Sequence, residues 1–363
     1  MGNSNLWKCF PLFLTTKINI VFSTENLLNM KKLLRFLLLI VLALVILYLV
    51  GPKPPKPELN KNLPSIWASI GNIEDFVEKK GEGLTLKPDN ESRIIWADSV
   101  KKRTNYCLLY LHGFSASWFE GYPANVEFAR HFGFNAYFPR LASHGIDTLD
   151  ALVDMTPDRL WESAKEALMI SRSLGKKVII MGTSTGGTLG LKLAADFPEY
   201  VDGLILYSPN IEINNDASFL LSRPWGLQIG RKFNGGKYRG ASSDSLSEEC
   251  QYWNCKYRME AVVYLQQLLD ATMKKETFRQ VTAPVFLGYY YKDEKNQDQT
   301  VKVSAMLEMY EQINTTPDRK VKVAFPEAGD HVIASKLISG SADKVIRETI
   351  KFGEENMGLK PVK

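Results

Sequence analysis

Short apolar runs alternate with longer amphipathic stretches from residue 93 almost to the C-terminus, and few folds accept that order. Arg93–Ala97, Tyr106–Leu111, Asn135–Phe138, Lys177–Met181, Val201–Tyr207, Val285–Tyr290 and Val321–Phe325 each have the length and apolar content of a buried strand. Helical spacing recurs between them. Thr156 offers an N-cap and Pro157 takes the first helical position. Leu160, Trp161, Ala164, Ala167 and Leu168 share a face, and Gly175 closes the segment. Thr185–Asp196, Val301–Ile313 and Ala342–Glu354 read as further helices. Strands alternating with helices predict parallel βαβ units whose sheet is covered on both faces. Residues 211–280 break the alternation. They are turn-rich around Gly235-Gly236, then helical in pattern through Met259, Val262, Val263 and Leu269, with no strand signal. An inserted helical cap is expected there.

Charge divides the chain differently. The formal net charge is +5, yet residues 1–63 hold eight Lys/Arg against Glu25 and Glu58. The other 300 residues carry 37 basic and 38 acidic side chains. A near-neutral body offers no basic surface to a polyanion, so a nucleic-acid role loses its support. Leu33–Val50 (LLRFLLLIVLALVILYLV) has Arg35 as its only charge. At 1.5 Å per residue it would cover about 27 Å, close to the thickness of a bilayer core. Lys31 and Lys32 precede it as in an export signal, and no small-residue cleavage pattern follows. The expected organisation is an N-terminal extension at 1–29, an uncleaved transmembrane signal anchor at 30–51 and an extended Pro/Lys linker at 52–65. The core would occupy 66–210 and 281–363, on either side of the cap. Five basic residues before the end of the span, against Lys53, Lys56 and Lys61 after it, lean towards a body on the periplasmic or extracellular face. Cys250 and Cys255 are close enough to pair in an oxidising compartment, while Cys107 lies in a strand-like run and reads as core.

Gly182-Thr183-Ser184-Thr185-Gly186 is weak as a G-x-S-x-G motif alone, but here it follows the run KVIIM and opens a helix. That strand–turn–helix setting presents a serine on a sharp turn. Gly182 and Gly186 let strand and helix approach, and the helix N-terminus supplies free N–H groups. A serine nucleophile needs a base. Of His112, His131, His144 and His331, only His331 lies C-terminal to Ser184, in the loop EAGDH after VKVAF. Strand-end loops are where an open α/β sheet gathers functional groups. An acid to orient His331 should follow Val285–Tyr290. Asp293 is nearer the strand end, whereas Asp298 precedes Gln299-Thr300-Val301 and a helix. The run LYLHGF ends in a turn that can offer the Phe114 N–H to an oxyanion, with the Thr185 N–H as the second donor. His112 and His144 read as turn- and loop-organising residues. No cluster has metal-ligand spacing and no G-x-G-x-x-G follows an early strand, so neither metal nor organic cofactor is expected.

LHGFSAS (111–117), SHG (143–145), GTSTGG (182–187), D-x-x-V (298–301) and GDH (329–331) occur in one order over residues 92–355. In these motifs the chain resembles the α/β-hydrolase superfamily, specifically its monoacylglycerol lipase and carboxylesterase-like branch. The resemblance implies an α/β fold with a mostly parallel eight-stranded sheet, flanking helices and a cap after the sixth strand; here one N-terminal transmembrane helix precedes it. It implies a serine hydrolase that cleaves carboxylic esters, acylglycerol-like or otherwise apolar, through an acyl-enzyme. Its triad would be Ser184, His331 and Asp298. The loop before Asp298 is longer than the pattern and keeps Asp293 as the alternative acid. Amide or peptide hydrolysis and acyl transfer use the same machinery, and a non-catalytic binding protein of this fold is a third reading. The expected partners are a small-molecule ester and a lipid membrane. Phe219, Leu220, Leu221, Trp225, Leu227, Trp253, Tyr257 and Tyr264 would give the cap an apolar surface suited to an acyl chain.

Overall fold

The computed structural model describes residues 24–66, 69–240 and 247–362, in two units divided between Gly51 and Pro52. The first unit is helix α1 (Thr24–Leu49). Within it Leu27–Leu49 is long and apolar enough to cross a membrane, and none of its most apolar window is buried. Most of the expected extension at 1–29 lies outside the described residues.

The second unit is built on a sheet. Its strands are β1 (Arg93–Ile95), β2 (Thr104–Leu111), β3 (Asn135–Phe138), β4 (Gly175–Thr183), β5 (Gly203–Tyr207), β8 (Val285–Tyr289) and β9 (Lys320–Ala324), in the order β1-β3-β2-β4-β5-β8-β9. Two-residue strands β6 (Tyr238–Arg239) and β7 (Tyr257–Arg258) pair separately. All neighbours in the large sheet are parallel except β1, which runs antiparallel to β3. Helix α2 (Ile73–Lys79) precedes β1, and helices α3 (Ala124–Phe132), α4 (Pro157–Leu174), α5 (Thr185–Asp196), α10 (Val303–Gln312) and α11 (Ala342–Glu355) flank the sheet.

Strand pleating decides which helices pack where. Leu109, Ile180, Leu206 and Leu287 point to the face that also buries Trp161 of α4, Leu189 of α5 and Met306 of α10. Their strand neighbours Leu108, Ile179, Ile205 and Phe286 point to the opposite face, against Phe128 of α3 and Phe352 of α11. Side chains of period two thus fill two cores, which is why the strands read as continuous apolar runs. Helix α4 starts as its sequence dictates, with the Thr156 hydroxyl accepting the Arg159 N–H and Pro157 in the first turn.

Two expectations need correction. The large sheet has seven strands among the described residues, not eight. Residues 85–87, which precede β1, do not pair with it but run along the 145–147 loop: Lys87 N–H donates to Gly145 O (2.9 Å) and Asp147 N–H to Thr85 O (2.9 Å). Pro88, followed by Asp89 at φ +61°, turns the chain away after a single Leu86–Ile146 bridge. The insertion between β5 and β8 is also not wholly helical. It holds α6 (Gly226–Phe233), α7 (Glu248–Tyr252), α8 (Met259–Thr272) and α9 (Lys275–Phe278), with β6 and β7 joining its halves. Strands of two residues have no periodicity to read.

The proline-rich linker is extended yet fastened to the body. Pro52 O accepts the Trp225 N–H (2.8 Å) and Pro55 O the Gln267 side-chain amide (2.6 Å). Asp158 Oδ1 accepts the N–H of Glu58 and of Leu59. The buried Lys165 ammonium donates to Asn60 Oδ1 and Asn62 O.

Candidate functional site

The connections leaving β2 and β4 run to opposite sides, because β3 lies beside β2 and β5 beside β4 while all four strands stay parallel. At such a switch point the loops leaving two adjacent strand ends diverge and open a crevice. His112-Gly113-Phe114 leaves β2 there and Ser184 leaves β4.

Ser184 sits between strand and helix at φ +52°, ψ −118°, a conformation costing a non-glycine residue about 1–3 kcal/mol. Its backbone is held firmly. The N–H donates to Tyr207 O (2.9 Å), and its carbonyl accepts from Asn210 N–H (3.0 Å) and Thr188 N–H (3.1 Å). The glycines are explained by contact. A Cβ on Gly186 would lie 1.8 Å from the Leu111 carbonyl oxygen, and one on Gly182 would lie 2.6 Å from the Gly186 carbonyl. Neither neighbour is a flexible side chain that could give way.

The structure brings His331 and Asp298 together. Asp298 Oδ2 accepts the His331 Nδ1–H at 2.6 Å, while its Oδ1 accepts the N–H of Thr300 (2.8 Å) and Val301 (3.0 Å). With Nδ1 donating, His331 Nε2 carries the lone pair; that atom is buried and has no hydrogen-bond partner among the described residues. Burial alone would lower the pKa of His331. The charge and hydrogen bond of Asp298, with smaller help from Asp330, outweigh it and raise the pKa above 6.5. Asp293 is elsewhere. It lies exposed in a tight turn, its carboxylate accepting the Asn296 side-chain amide and the N–H groups of Lys295 and Asn296.

Phe114 and Thr185 stand on the two loops of the crevice, and neither amide is used by a hydrogen bond among the described residues. His112 and His144 organise the loop carrying Phe114. His112 Nε2 accepts the Leu141 N–H (3.1 Å), so Nδ1 bears the proton and donates to Gly113 O (3.0 Å). His144 Nε2 accepts the Ser115 N–H (3.1 Å) and Nδ1 donates to Ala142 O (2.9 Å). Burial keeps both rings neutral, lowering His144 to about 4 and His112 well below its ordinary value.

One residue escaped the sequence reading. Glu120, in a 3-10 turn at Trp118–Gly121, is buried with its Oε2 accepting the Gly113 N–H at 2.5 Å. Burial pushes its carboxyl up to about 8. The available signal was an acid set among Trp118, Phe119, Gly121 and Tyr122, with no polar neighbour in sequence.

The insertion reaches this crevice. Asn254 N–H donates to Ser115 O (2.7 Å), and Tyr257 meets Phe114 edge to face with ring centroids 4.9 Å apart. Trp253 packs with Ala116 and Val332. A Cys250–Cys255 disulfide closes the loop that carries Trp253 and Asn254. By contrast Phe219 lines a separate cleft of about 740 Å³ with Glu212, Asp216, Asp270 and Glu308, which includes none of Ser184, His331 or Asp298.

Comparison with known proteins agrees with this architecture. A model of the alpha/beta hydrolase family matches residues 108–339. None of the curated proteins matches the chain in sequence. Among solved structures, one from a study of LipS and LipT, two metagenome-derived lipolytic enzymes, superposes with a TM-score of 0.58 at 16% identity, over 74% of this chain and 98% of that one. Another is the monoacylglycerol lipase of Paleococcus ferrophilus, with a TM-score of 0.49 at 14% identity, over 72% and 96% of the two chains. At 16% identity the first of these likenesses is one of fold.

Proposed function

The chain belongs to the alpha/beta hydrolase family, and from that premise we propose that it is a membrane-anchored serine hydrolase of apolar carboxylic esters. The observation that carries this reading is the Asp298–His331 pair, with the Nε2 lone pair of His331 uncommitted, on loops after β8 and β9 at the same sheet edge where a strained Ser184 leaves β4. Ser184 Oγ attacks the ester carbonyl while His331 Nε2 takes its proton. The tetrahedral oxyanion is received by the N–H groups of Phe114 and Thr185, each worth about 3 kcal/mol of transition-state stabilisation. Collapse expels the alcohol, which takes the proton from Nε2. Water then repeats the cycle on the acyl-enzyme and releases the acid. Asp298 holds the tautomer and stabilises the imidazolium.

Substrate class and location follow from the surroundings. Phe114, Tyr257 and Trp253 near the crevice favour an acyl chain over a charged group. The apolar α1 supports anchoring, and the disulfide supports a body in an oxidising compartment. A fluorophosphonate probe applied to membranes carrying the full chain should label it at Ser184, and a carbonate wash should leave it in the pellet. An unlabelled wild type would sink the hydrolase reading, and release by carbonate would sink the anchor.

The base must be neutral to accept a proton, and Asp298 raises the His331 pKa above 6.5. Activity is therefore expected to fall as pH drops through a value above 6.5, measured as kcat/KM on a short-chain ester. An acid limb centred below 6.5 would contradict the pairing.

A further inference from the structure

Glu120 is a buried acid for which the proposed triad has no use, and its geometry gives it one. Its side chain is 2% exposed. Oε2 accepts the Gly113 N–H at 2.5 Å and the Tyr110 hydroxyl at 3.3 Å, while Tyr110 is also bonded to Thr183 beside the serine turn. Oε1 lies 2.6 Å from the point that a Cβ on Gly113 would occupy, and Ser184 Cβ lies 3.1 Å from the same point. The carboxyl therefore stands against Gly113, the glycine that Ser184 also flanks. Gly113 is the pivot of the loop: its carbonyl belongs to the same peptide plane as the Phe114 N–H. His112 holds that carbonyl from one side, and Ala116 N–H donates to it at 3.4 Å. The Gly113 N–H on the other side of the pivot is held by Glu120.

We infer that Glu120 is a positioning residue of the oxyanion loop, fixing the Gly113 amide so that the Phe114 N–H faces the carbonyl attacked by Ser184. The inference rests on the proposed hydrolase reading. A glycine has no side chain to restrain its dihedrals, so without Glu120 the peptide before it loses its anchor and the next one, which carries the Phe114 N–H, is held at its carbonyl alone. An oxyanion donor is effective only when it is preorganised.

The groups around Glu120 make its role visible in a pH profile. Tyr110 from β2 and His331 from the loop after β9 act on its carboxyl. Tyr252 of α7 stacks on Phe119, with its hydroxyl donated to Asp89, and Arg93 lies over Trp118 on the outer side of the turn. Burial holds the carboxyl neutral up to about 8. Ionisation above that pH would set a negative charge beside a developing oxyanion.

The test compares Glu120→Ala and Glu120→Gln in the full-length protein, using p-nitrophenyl butyrate. Glu120→Ala should lower kcat by the order of 10²-fold, the loss of one oxyanion donor, with KM changed by less than about threefold. Glu120→Gln, which can still accept the Gly113 N–H, should lose less than about tenfold. Wild-type rate should decline above a pH of about 8, and Glu120→Gln should lack that decline. Equal loss in both variants, or an alkaline decline that persists in Glu120→Gln, overturns the inference. Amide hydrogen exchange over residues 112–117 should quicken in Glu120→Ala and not in Glu120→Gln. This readout needs no turnover, so it judges the loop even if the fluorophosphonate result removes the hydrolase reading; unchanged exchange in Glu120→Ala overturns the inference.

Discussion

Replacing Ser184 by alanine is expected to cut ester turnover by the order of 10⁴-fold or more, with thermal stability nearly unchanged. The size of the loss follows from the chemistry: Ser184 Oγ is the atom proposed to form the acyl-enzyme, and the residual rate would come from the oxyanion donors and from binding. Stability should hold because everything fixing the turn belongs to the backbone. The Ser184 N–H bonds to Tyr207 O, and its carbonyl accepts from Asn210 and Thr188. Alanine keeps the Cβ and meets the same positive φ, so the strain is unchanged. Initial rates on p-nitrophenyl butyrate, with melting curves of the two proteins in the same detergent, check both halves. More than about one-tenth of wild-type kcat surviving in a folded variant would mean another nucleophile acts.

How much of this was readable in the chain depends on how local each signal is. Helix α4 was legible to its ends because Thr156, Pro157 and Gly175 act within one turn of backbone. Helix α5 was legible because G-x-S-x-G fixes where β4 stops. Ser184 and His331 were singled out by the same local logic, a serine at a strand–helix junction and the one histidine after it. The misses are tertiary. Glu120 occupies an unremarkable four-residue turn, and only the packing of β2, the Gly113 loop and the aromatic residues of that turn encloses it. The seven-stranded sheet is tertiary too: Thr85 and Lys87, ahead of β1, find their partners in the 145–147 loop rather than on β1. The linker reads as a free spacer from composition, yet Lys165 and Asp158 of α4 hold it. Those partners lie about a hundred residues away in sequence, beyond any periodicity or cap rule.

The choice between Asp298 and Asp293 yields the second large effect. Asp298→Asn is expected to lower kcat by the order of 10⁴-fold, whereas Asp293→Asn should stay within about twofold, as exposed positions usually do. The hydrogen bonds say why an isosteric change is so costly. Oδ1 of Asp298 is fixed by the N–H groups of Thr300 and Val301. An asparagine there keeps its oxygen on those two donors and must turn its NH₂ towards His331 Nδ1. That nitrogen can then only accept, so the proton moves to Nε2 and the base has no lone pair for Ser184. Burial adds to the effect, because no solvent competes for the pair: Asp298 is 1% exposed. Asp293 has no such link. Its carboxylate only closes a turn with Lys295 and Asn296, and asparagine can accept the same backbone N–H groups. Steady-state kinetics of both variants near neutral pH separate the cases. Equal damage from the two substitutions would show that the 291–298 loop, rather than one carboxylate, sets the histidine.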